Sequence, residues 1–274
     1  MRQTRPRTPF LSAFLACAAL SACAGSISQQ EEVQLGAQNA AQINAQLPLL
    51  GDASINTYVN SLGNTIARGT SRADLAWHFA VVNSEVINAF ALPGGYVYVN
   101  RGVLTTASNE SELAGVLGHE IEHVVRRHSV KQMEQAQGAN VGVGIACALT
   151  NVCQNTAAQA AIQVGGTAVF AKFSRGDEVQ ADEGGFNNLI NAGINPRGML
   201  TFFQKLMAEE QQNGGGNASA WFSDHPGTQD RVADIQRMLN ENAKRLSGLR
   251  TDSQGFQSMK ARLRQLPAAP RATR

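Results

Sequence analysis

Apolar residues recur at helical spacing in the first part of the chain. Between positions 26 and 73 they lie three, four or seven to eight residues apart, as Leu35, Ile43 and Leu47 illustrate. This spacing is typical of amphipathic helices. The segment from Pro48 to Asp52 interrupts the pattern. We therefore predict two helices separated by a short break.

Three short segments with a different pattern follow. Residues 77–83, 86–92 and 96–99 are rich in β-branched and aromatic side chains, and Pro93-Gly94-Gly95 separates the last two segments. Such segments are typical of strands, and the proline and glycines are typical of turns. The pattern predicts a small, largely antiparallel sheet of three strands.

The remaining pattern is mostly helical, so the predicted fold class is α+β and mainly helical. A helix over residues 110–132 should begin at the N-cap candidates and acidic residues of positions 108–112. Further helices are predicted at 156–171, 177–191, 196–211 and 227–243. The glycines at 214–216 predict a loop, and the basic end of the chain predicts a loose tail over 251–274.

The composition is that of a globular protein and excludes some functions. Of the 274 residues, 43% are hydrophobic and 16% are charged, which allows a full core. The net charge is only +2, and lysine and arginine are scattered except at the chain ends. A nucleic-acid-binding protein would show a basic patch. We expect no nucleic-acid partner.

The N-terminus has the pattern of a secretory signal. Three arginines precede an apolar run over residues 10–20, which is too short to span a membrane. The run ends in Leu20-Ser21-Ala22-Cys23, which resembles a bacterial lipobox in which Cys23 carries the lipid. Residues 1–22 would then be removed, and Ala24 after the cysteine resembles the pattern of outer-membrane sorting. Alternatively, cleavage after Ala24 would release a soluble periplasmic protein.

Two further cysteines remain if Cys23 is lipidated. In an oxidising compartment, Cys147 and Cys153 would form a disulfide, although two small buried apolar residues are the alternative. They lie in a segment without charged residues, 135–171, which we interpret either as a flap over the active site or as packed helices. The main domain is expected at 23–250.

The helix predicted over 110–132 contains the sequence Gly118-His119-Glu120-Ile121-Glu122-His123. Two histidines four residues apart lie on one face of a helix, and both can bind a single Zn²⁺. Glu120 could then act as general base on a water molecule at the metal. Two surface histidines on an amphipathic helix are the alternative. A third ligand from a later helix would complete the site.

His128 does not supply that ligand in a metzincin-like pattern. A metzincin would have glycine and histidine where this chain has Arg126 and Ser129. On a continuous helix His128 lies about 180° from His119, facing solvent or packing elsewhere. The best candidate for the third ligand is an acid within residues 174–182.

Three blocks together resemble the gluzincin metallopeptidase family that includes the CAAX prenyl protease, HtpX and periplasmic lipoprotein members. They are the HExxH motif, the segment 88–95 before it, and a segment with Ser174-Arg175, Glu178 and Ala181-Asp182 after it. The resemblance extends from about residue 30 to residue 239. It implies a zincin-type peptidase domain with one zinc, of which Glu178 is the third ligand. Gln180 stands where the family more often has an acid, and it should point away from the metal.

The resemblance also implies roles for other residues. Asp182 would hydrogen-bond a zinc-binding histidine, and Arg231 would support the same site. Asn88, Ala89, Phe90 and Ala91 would form the edge strand along which an extended substrate binds. His225 would either stabilise the substrate oxyanion or occupy the open metal position; a polar loop residue is the alternative.

The expected function is therefore zinc-dependent endoproteolysis in a bacterial envelope. The substrates would be unfolded or misassembled periplasmic and outer-membrane proteins, and the lipid on Cys23 would hold the enzyme at the periplasmic side of the outer membrane. The alternative is a non-catalytic chaperone or assembly factor that uses the zinc fold to bind such clients. The intact HExxH motif, with Glu120 present, favours the enzyme.

Overall fold

The structure is a computed structural model that describes residues 26–138, 173–213, 219–226 and 228–270. The elements are, in chain order, α1 (Gln29–Gln46), α2 (Ala53–Ala67), β1 (His78–Val82), β2 (Ala89–Leu92), β3 (Tyr96–Asn100), α3 (Arg101–Thr106), α4 (Glu110–Val125), α5 (His128–Gly138), α6 (Arg175–Asn191), α7 (Arg197–Asn213), α8 (Ser219–Asp224), α9 (Thr228–Glu241), a 3-10 turn (Ala243–Leu246) and α10 (Gln254–Gln265). The mainly helical α+β class is confirmed.

The sheet is mixed, which corrects the expectation of a largely antiparallel sheet. Its order is β1-β3-β2, with β1 parallel to β3 and β2 antiparallel to β3. A tight connection joins β2 to β3, and Gly94 and Gly95 adopt φ of 78° and 102° there, a region that glycine enters without strain. The central position of β3 leaves β2 at an edge.

Alternating side chains give the sheet two apolar faces, as the strand period of two requires. Val97 and Val99 face the main core, which the sheet shares with α2, α4, α6 and α7. Tyr98 faces the smaller core beneath α1, together with Ile43 and Phe90. The sheet is therefore enclosed between α1 and the helices that carry the candidate site.

The packing of α4 against α6 fixes the distance between the two helices with site residues. Gly118 of α4 and Gly185 of α6 meet at this contact, where a Cβ on Gly185 would lie 3.1 Å from the backbone of Gly118 and from the amide nitrogen of His119. Ser174 caps α6 through a capping box with Asp177. Because the two helices pack closely, His119 of α4 can contact Glu178 and Asp182 of α6.

The helix expected over 110–132 is interrupted. It ends at Val125, and α5 begins at His128 after Arg127, whose φ is +58°. This left-handed conformation is uncommon for a residue other than glycine. The Arg127 side chain donates to Glu32 Oε2 at 2.8 Å and to the carbonyl of Ile27. Contacts with the N-terminal part of the chain therefore accompany a turn that the local sequence pattern did not predict.

The C-terminal segment is not a loose tail, which corrects another expectation. Helix α10 buries Phe256, Met259 and Leu263 and packs against α2 and α3. Lys260 donates to the carbonyls of Leu104, Thr105 and Ala107, which end α3. The apolar residues lie three and four positions apart among basic ones, which is the pattern of an amphipathic helix. The prediction of a tail rested on the basic residues and overlooked this spacing.

Several predictions fall outside the described residues. They concern Cys23 and the signal segment, Cys147, Cys153, the helix at 156–171 and the glycines at 214–216. Within the described ranges, none of the helices has both the length and the apolar composition needed to cross a membrane.

Candidate metal centre

Helix α4 brings His119 and His123 together. One helical turn separates them, and their Nε2 atoms lie 3.0 Å apart. Both side chains are buried. Burial, with the nearby His119, lowers the pKa of His123 well below its ordinary value. A neutral imidazole is the form that binds a metal.

Helix α6 places Glu178 against both histidines. Its Oε2 lies 3.4 Å from His119 Nε2, and its Oε1 lies 3.5 Å from His123 Nε2. Burial acts to raise the pKa of Glu178, but the adjacent His225 and His119 outweigh it and hold that pKa far below its ordinary value. The side chain is therefore an ionised carboxylate inside the protein.

His225, which follows α8 directly, completes a cluster of four possible ligands. Its Nδ1 lies 3.2 Å from His119 Nε2 and 3.2 Å from Glu178 Oε1. Its ring stacks on Trp221 with a centroid distance of 4.5 Å. Ligand atoms of His119, His123, Glu178 and His225 all lie within 4.8 Å of one another.

The distances within this cluster fit one tetrahedral metal ion. Zinc binds nitrogen and oxygen at about 2.0–2.1 Å, so the ligand atoms of a tetrahedral site lie about 3.3 Å apart. The contacts given above span 3.0–3.5 Å. Three imidazoles with a carboxylate are also a donor set that zinc accepts. The residues present therefore fit a zinc ion.

Glu120 lies beside the cluster. Its side chain is fully buried, and neither carboxylate oxygen has a hydrogen-bond partner among the described residues. His225 Nε2 is 3.4 Å from Glu120 Oε1. Burial raises the pKa of Glu120. A carboxyl group with a raised pKa and free oxygens is suited to accept and return a proton.

Asp182 and Arg231 support the His119 side of the cluster. Asp182 Oδ1 lies 2.9 Å from His119 Nδ1. Arg231 donates to both oxygens of Asp182 at 2.6 and 2.8 Å, and its Nη1 lies 2.7 Å from Glu178 Oε2. Burial acts to raise the pKa of Asp182, but Arg231 outweighs it and the pKa is lowered.

His128 is buried beside the cluster, so that, of the two alternatives for it, facing solvent or packing elsewhere, the first is wrong. Its Nδ1 lies 2.9 Å from His123 Nδ1, and its Nε2 lies 3.3 Å from Oε1 of Gln180. The helix break at Arg127 changes the direction of the chain, and the 180° separation expected on a continuous helix does not apply. Gln180, which was expected to point away from the metal, contacts His128.

The edge strand and the His225 loop are connected. The predicted substrate strand corresponds to Asn88 and β2, which lies at the sheet edge and is buried by neighbouring helices. Asn88 Nδ2 donates to Oδ2 of Asp224 at 2.9 Å, and Asp224 immediately precedes His225. A movement of this strand would therefore act on the residue next to His225 through the contact between Asn88 and Asp224.

Two aromatic residues were not predicted from the sequence. Trp221 stacks on His225, and Phe173 stacks on His123 with a centroid distance of 3.9 Å. Each ring covers one face of a candidate ligand. Trp221 stands four residues before His225, a helical spacing that could have indicated this contact. Phe173 has no comparable signal.

A metal-binding carboxylate supplied by a helix after the HExxH helix is the feature that separates gluzincins from other HExxH peptidases. The fold and the site therefore assign this chain to the gluzincin class of metallopeptidases. The sequence profile described as Peptidase family M48 matches residues 53–239. The match covers more than half of the chain, and the chain belongs to this family.

Named relatives agree with that assignment. The chain is 31% identical over 225 residues to the beta-barrel assembly-enhancing protease of Escherichia coli (strain K12). The matched region covers 80% of this chain and 46% of that protein. It is 31% identical over 187 residues to the metalloprotease LoiP of the same organism, and the match covers 68% of this chain and 69% of LoiP. It is 31% identical over 184 residues to the mitochondrial metalloendopeptidase OMA1 of Schizosaccharomyces pombe, covering 67% and 53%. The chain thus spans less than half of the first of these relatives.

Proposed function

We propose that this chain is a zinc-dependent metalloendopeptidase of the bacterial envelope that cleaves unfolded or misassembled periplasmic and outer-membrane proteins. The observation that carries the proposal is the buried cluster of His119, His123, Glu178 and His225, with the unbonded carboxylate of Glu120 beside it. The names of the bacterial relatives, which include a beta-barrel assembly-enhancing protease, support the envelope and the class of substrate.

In this proposal His119, His123 and Glu178 hold one zinc ion per chain. When bound, zinc polarises the carbonyl of the scissile bond and makes water a stronger nucleophile at neutral pH. Glu120 takes the proton from the attacking water and passes it to the leaving amine. Asp182 keeps the proton of His119 on Nδ1, so that Nε2 is free to bind the metal.

His225 is proposed as the residue that controls access to the metal. Its Nδ1 lies 3.2 Å from His119 Nε2 and 3.2 Å from Glu178 Oε1, a separation that two ligand atoms of one metal ion would have, and this supports a resting state with four protein ligands. A substrate strand that binds along Asn88, Ala89, Phe90 and Ala91 would disturb the contact between Asn88 and Asp224 and free His225. The other role left open for His225 is stabilisation of the oxyanion.

The location is proposed from the sequence alone. A lipid on Cys23 would anchor the chain at the periplasmic side of the outer membrane, and processing after Ala24 would instead give a soluble periplasmic protein. Intact-mass analysis of the mature chain distinguishes the two, because only the first leaves an acylated Cys23. Neither result affects the peptidase proposal.

Glu120→Gln tests the catalytic proposal. The variant should retain about one zinc per chain but lose casein cleavage by about 10²- to 10⁴-fold, because the ligands remain while the general base is lost. Glu183→Gln is the matched control, since Glu183 is an exposed acid of α6. Near-normal cleavage by Glu120→Gln would contradict the proposal, and zinc binding without cleavage in the wild type would favour the chaperone.

His225→Ala separates the two roles of His225. If His225 blocks the metal at rest, the variant should cleave casein faster than the wild type. If it stabilises the oxyanion, the turnover rate should fall by about a hundredfold or more with zinc retained. Unchanged zinc affinity and an unchanged cleavage rate would show that His225 is a polar loop residue with neither role.

A further inference from the structure

His128 makes a buried contact that the proposed mechanism does not use. Its side chain is 0% exposed, and its Nδ1 lies 2.9 Å from His123 Nδ1. Two ring nitrogens at this distance form a hydrogen bond only if one carries the proton and the other offers a lone pair. The surroundings of His128 indicate which of the two Nδ1 atoms is the donor and which is the acceptor.

The far side of the His128 ring faces acceptors. Its Nε2 lies 3.3 Å from Oε1 of Gln180 and 3.6 Å from Oδ1 of Asp177. A carboxylate accepts hydrogen bonds and cannot donate them, so it favours the tautomer of His128 with its proton on Nε2. The Nδ1 of this tautomer is an acceptor. His123 must then donate from its own Nδ1, which leaves a lone pair on His123 Nε2.

That lone pair points to the cluster. His123 Nε2 lies 3.0 Å from His119 Nε2 and 3.5 Å from Glu178 Oε1, where a metal would lie. Phe173 stacks on the His123 ring and limits its rotation. We propose that His128 is a positioning residue, which holds His123 in its metal-binding tautomer through a hydrogen-bond chain that ends at Gln180. This inference rests on the proposed zinc site.

The backbone geometry supports the same role. Arg127, at a φ of +58°, turns the chain so that His128 points back to α4. Arg127 donates to Glu32, which is fully buried and also accepts from Arg72 at 2.7 Å. An uncommon backbone conformation that is held by buried ionic contacts is found where a side chain must be placed in one position. Here the side chain so placed is His128.

Zinc affinity, measured by competition with a chromophoric chelator, tests the proposal. His128→Leu removes the acceptor and should weaken zinc binding by about 10- to 100-fold, the usual effect of losing a partner of a metal ligand. His128→Asn places an amide oxygen near the former Nδ1 and should recover most of the affinity. Gln180→Leu should give a smaller loss in the same direction. His78→Leu, at an exposed histidine of β1, is the matched control and should bind zinc like the wild type.

A second readout reports the tautomer directly. The chain contains 5 histidines, so nitrogen-15 NMR of histidine-labelled protein can resolve each ring. Wild-type zinc-loaded protein should show the proton of His123 on Nδ1 and that of His128 on Nε2. The opposite assignment for either ring would overturn the proposal, whatever the zinc affinities.

The outcomes separate this inference from the proposed function. If the wild type binds no zinc, the proposed function fails. If the wild type binds zinc and folded His128→Leu binds it equally well, the proposed function stands and the role of His128 is refuted. Should His128→Leu fail to fold, His128→Asn and Gln180→Leu carry the test: wild-type affinity in Gln180→Leu would then overturn the hydrogen-bond chain.

Discussion

The two histidines of the HExxH motif are supported in different ways. His119 contacts the carboxylate of Asp182, which is held in turn by Arg231. His123 contacts a second imidazole, that of His128, which is held by the amide of Gln180. We refer to Asp182 and Arg231 as the charged support and to His128 and Gln180 as the neutral support. In the proposed arrangement each support accepts a hydrogen bond from the proton on Nδ1 of its ligand histidine.

The difference follows from the balance of charge around the metal. Three buried carboxylates are involved, Glu120, Glu178 and Asp182, and Arg231 is the cation in contact with two of them. A bound zinc ion and this arginine would together offset three negative charges. A further carboxylate in place of His128 would be buried without a partner, which is costly. A neutral group therefore suits the second histidine.

Removal of the cation should have the largest effect. In Arg231→Met the buried Asp182 and Glu178 lose their partner, and removing one member of a buried ion pair usually costs about 3–5 kcal/mol. We expect a loss of this size in the free energy of unfolding of zinc-loaded protein, measured in urea at fixed free zinc.

Arg237→Met is the matched control for that experiment. Arg237 lies on the same helix, but its side chain is 54% exposed and it pairs only with the exposed Asp234 and Glu241. The free energy of unfolding should change by less than about 0.5 kcal/mol. Equal losses in the two variants would show that the charged support contributes no more than a surface ion pair.

Closer packing of α4 against α6 should perturb the same side of the site. Gly185→Ala would place its Cβ 3.1 Å from backbone atoms of Gly118 and His119. The helices must separate, at a cost of about 1–3 kcal/mol in the free energy of unfolding.

Gly176→Ala, near the start of the same helix, provides the opposite case. There, among the residues that the structure describes, the added Cβ would contact only the Ser174 Oγ, at 3.6 Å, so stability should stay the same or rise slightly. If Gly185→Ala is as stable as Gly176→Ala in urea, the contact between α4 and α6 does not set the position of His119.

The family resemblance implied roles for both residues of the charged support, but nothing in the sequence indicated a role for His128 in the neutral support. Asp182 stands one turn after Glu178, and the four-residue spacing places both on one face of α6. His128 was expected to face solvent or to pack elsewhere, because a continuous helix was assumed. The break at Arg127 involves contacts with Glu32, 95 residues earlier in the chain. No short-range pattern contains that information.

The same distinction applies to the rest of the fold. Helix and strand positions follow from periodicity, and most were predicted within a few residues. Periodicity does not predict the direction of β1 relative to β3, since side chains alternate in the same way in parallel and antiparallel pairs. For α10, basic residues between Phe256, Met259 and Leu263 obscured an apolar stripe that packs against distant helices.

Neutralising the charged support should weaken metal binding. Asp182→Asn keeps an oxygen near His119 Nδ1 but loses the negative charge that Arg231 requires. Zinc affinity should fall by about 10- to 100-fold, measured by chelator competition. Glu183→Gln is a suitable control, because Glu183 is an exposed acid of the same helix. A wild-type affinity in Asp182→Asn would mean that hydrogen bonding alone, not charge, supports His119.

The smallest effect is expected when a charge is introduced into the neutral support. Gln180→Glu keeps an acceptor for His128 Nε2, and position 180 is only partly buried, so water can screen the added charge. Zinc affinity should change by less than about fivefold, since ion pairs near the surface contribute about 0–1 kcal/mol. A loss as large as that of Asp182→Asn would show that the neutral support is sensitive to charge as far out as Gln180, and that the charge balance around the metal includes more residues than the three carboxylates and Arg231.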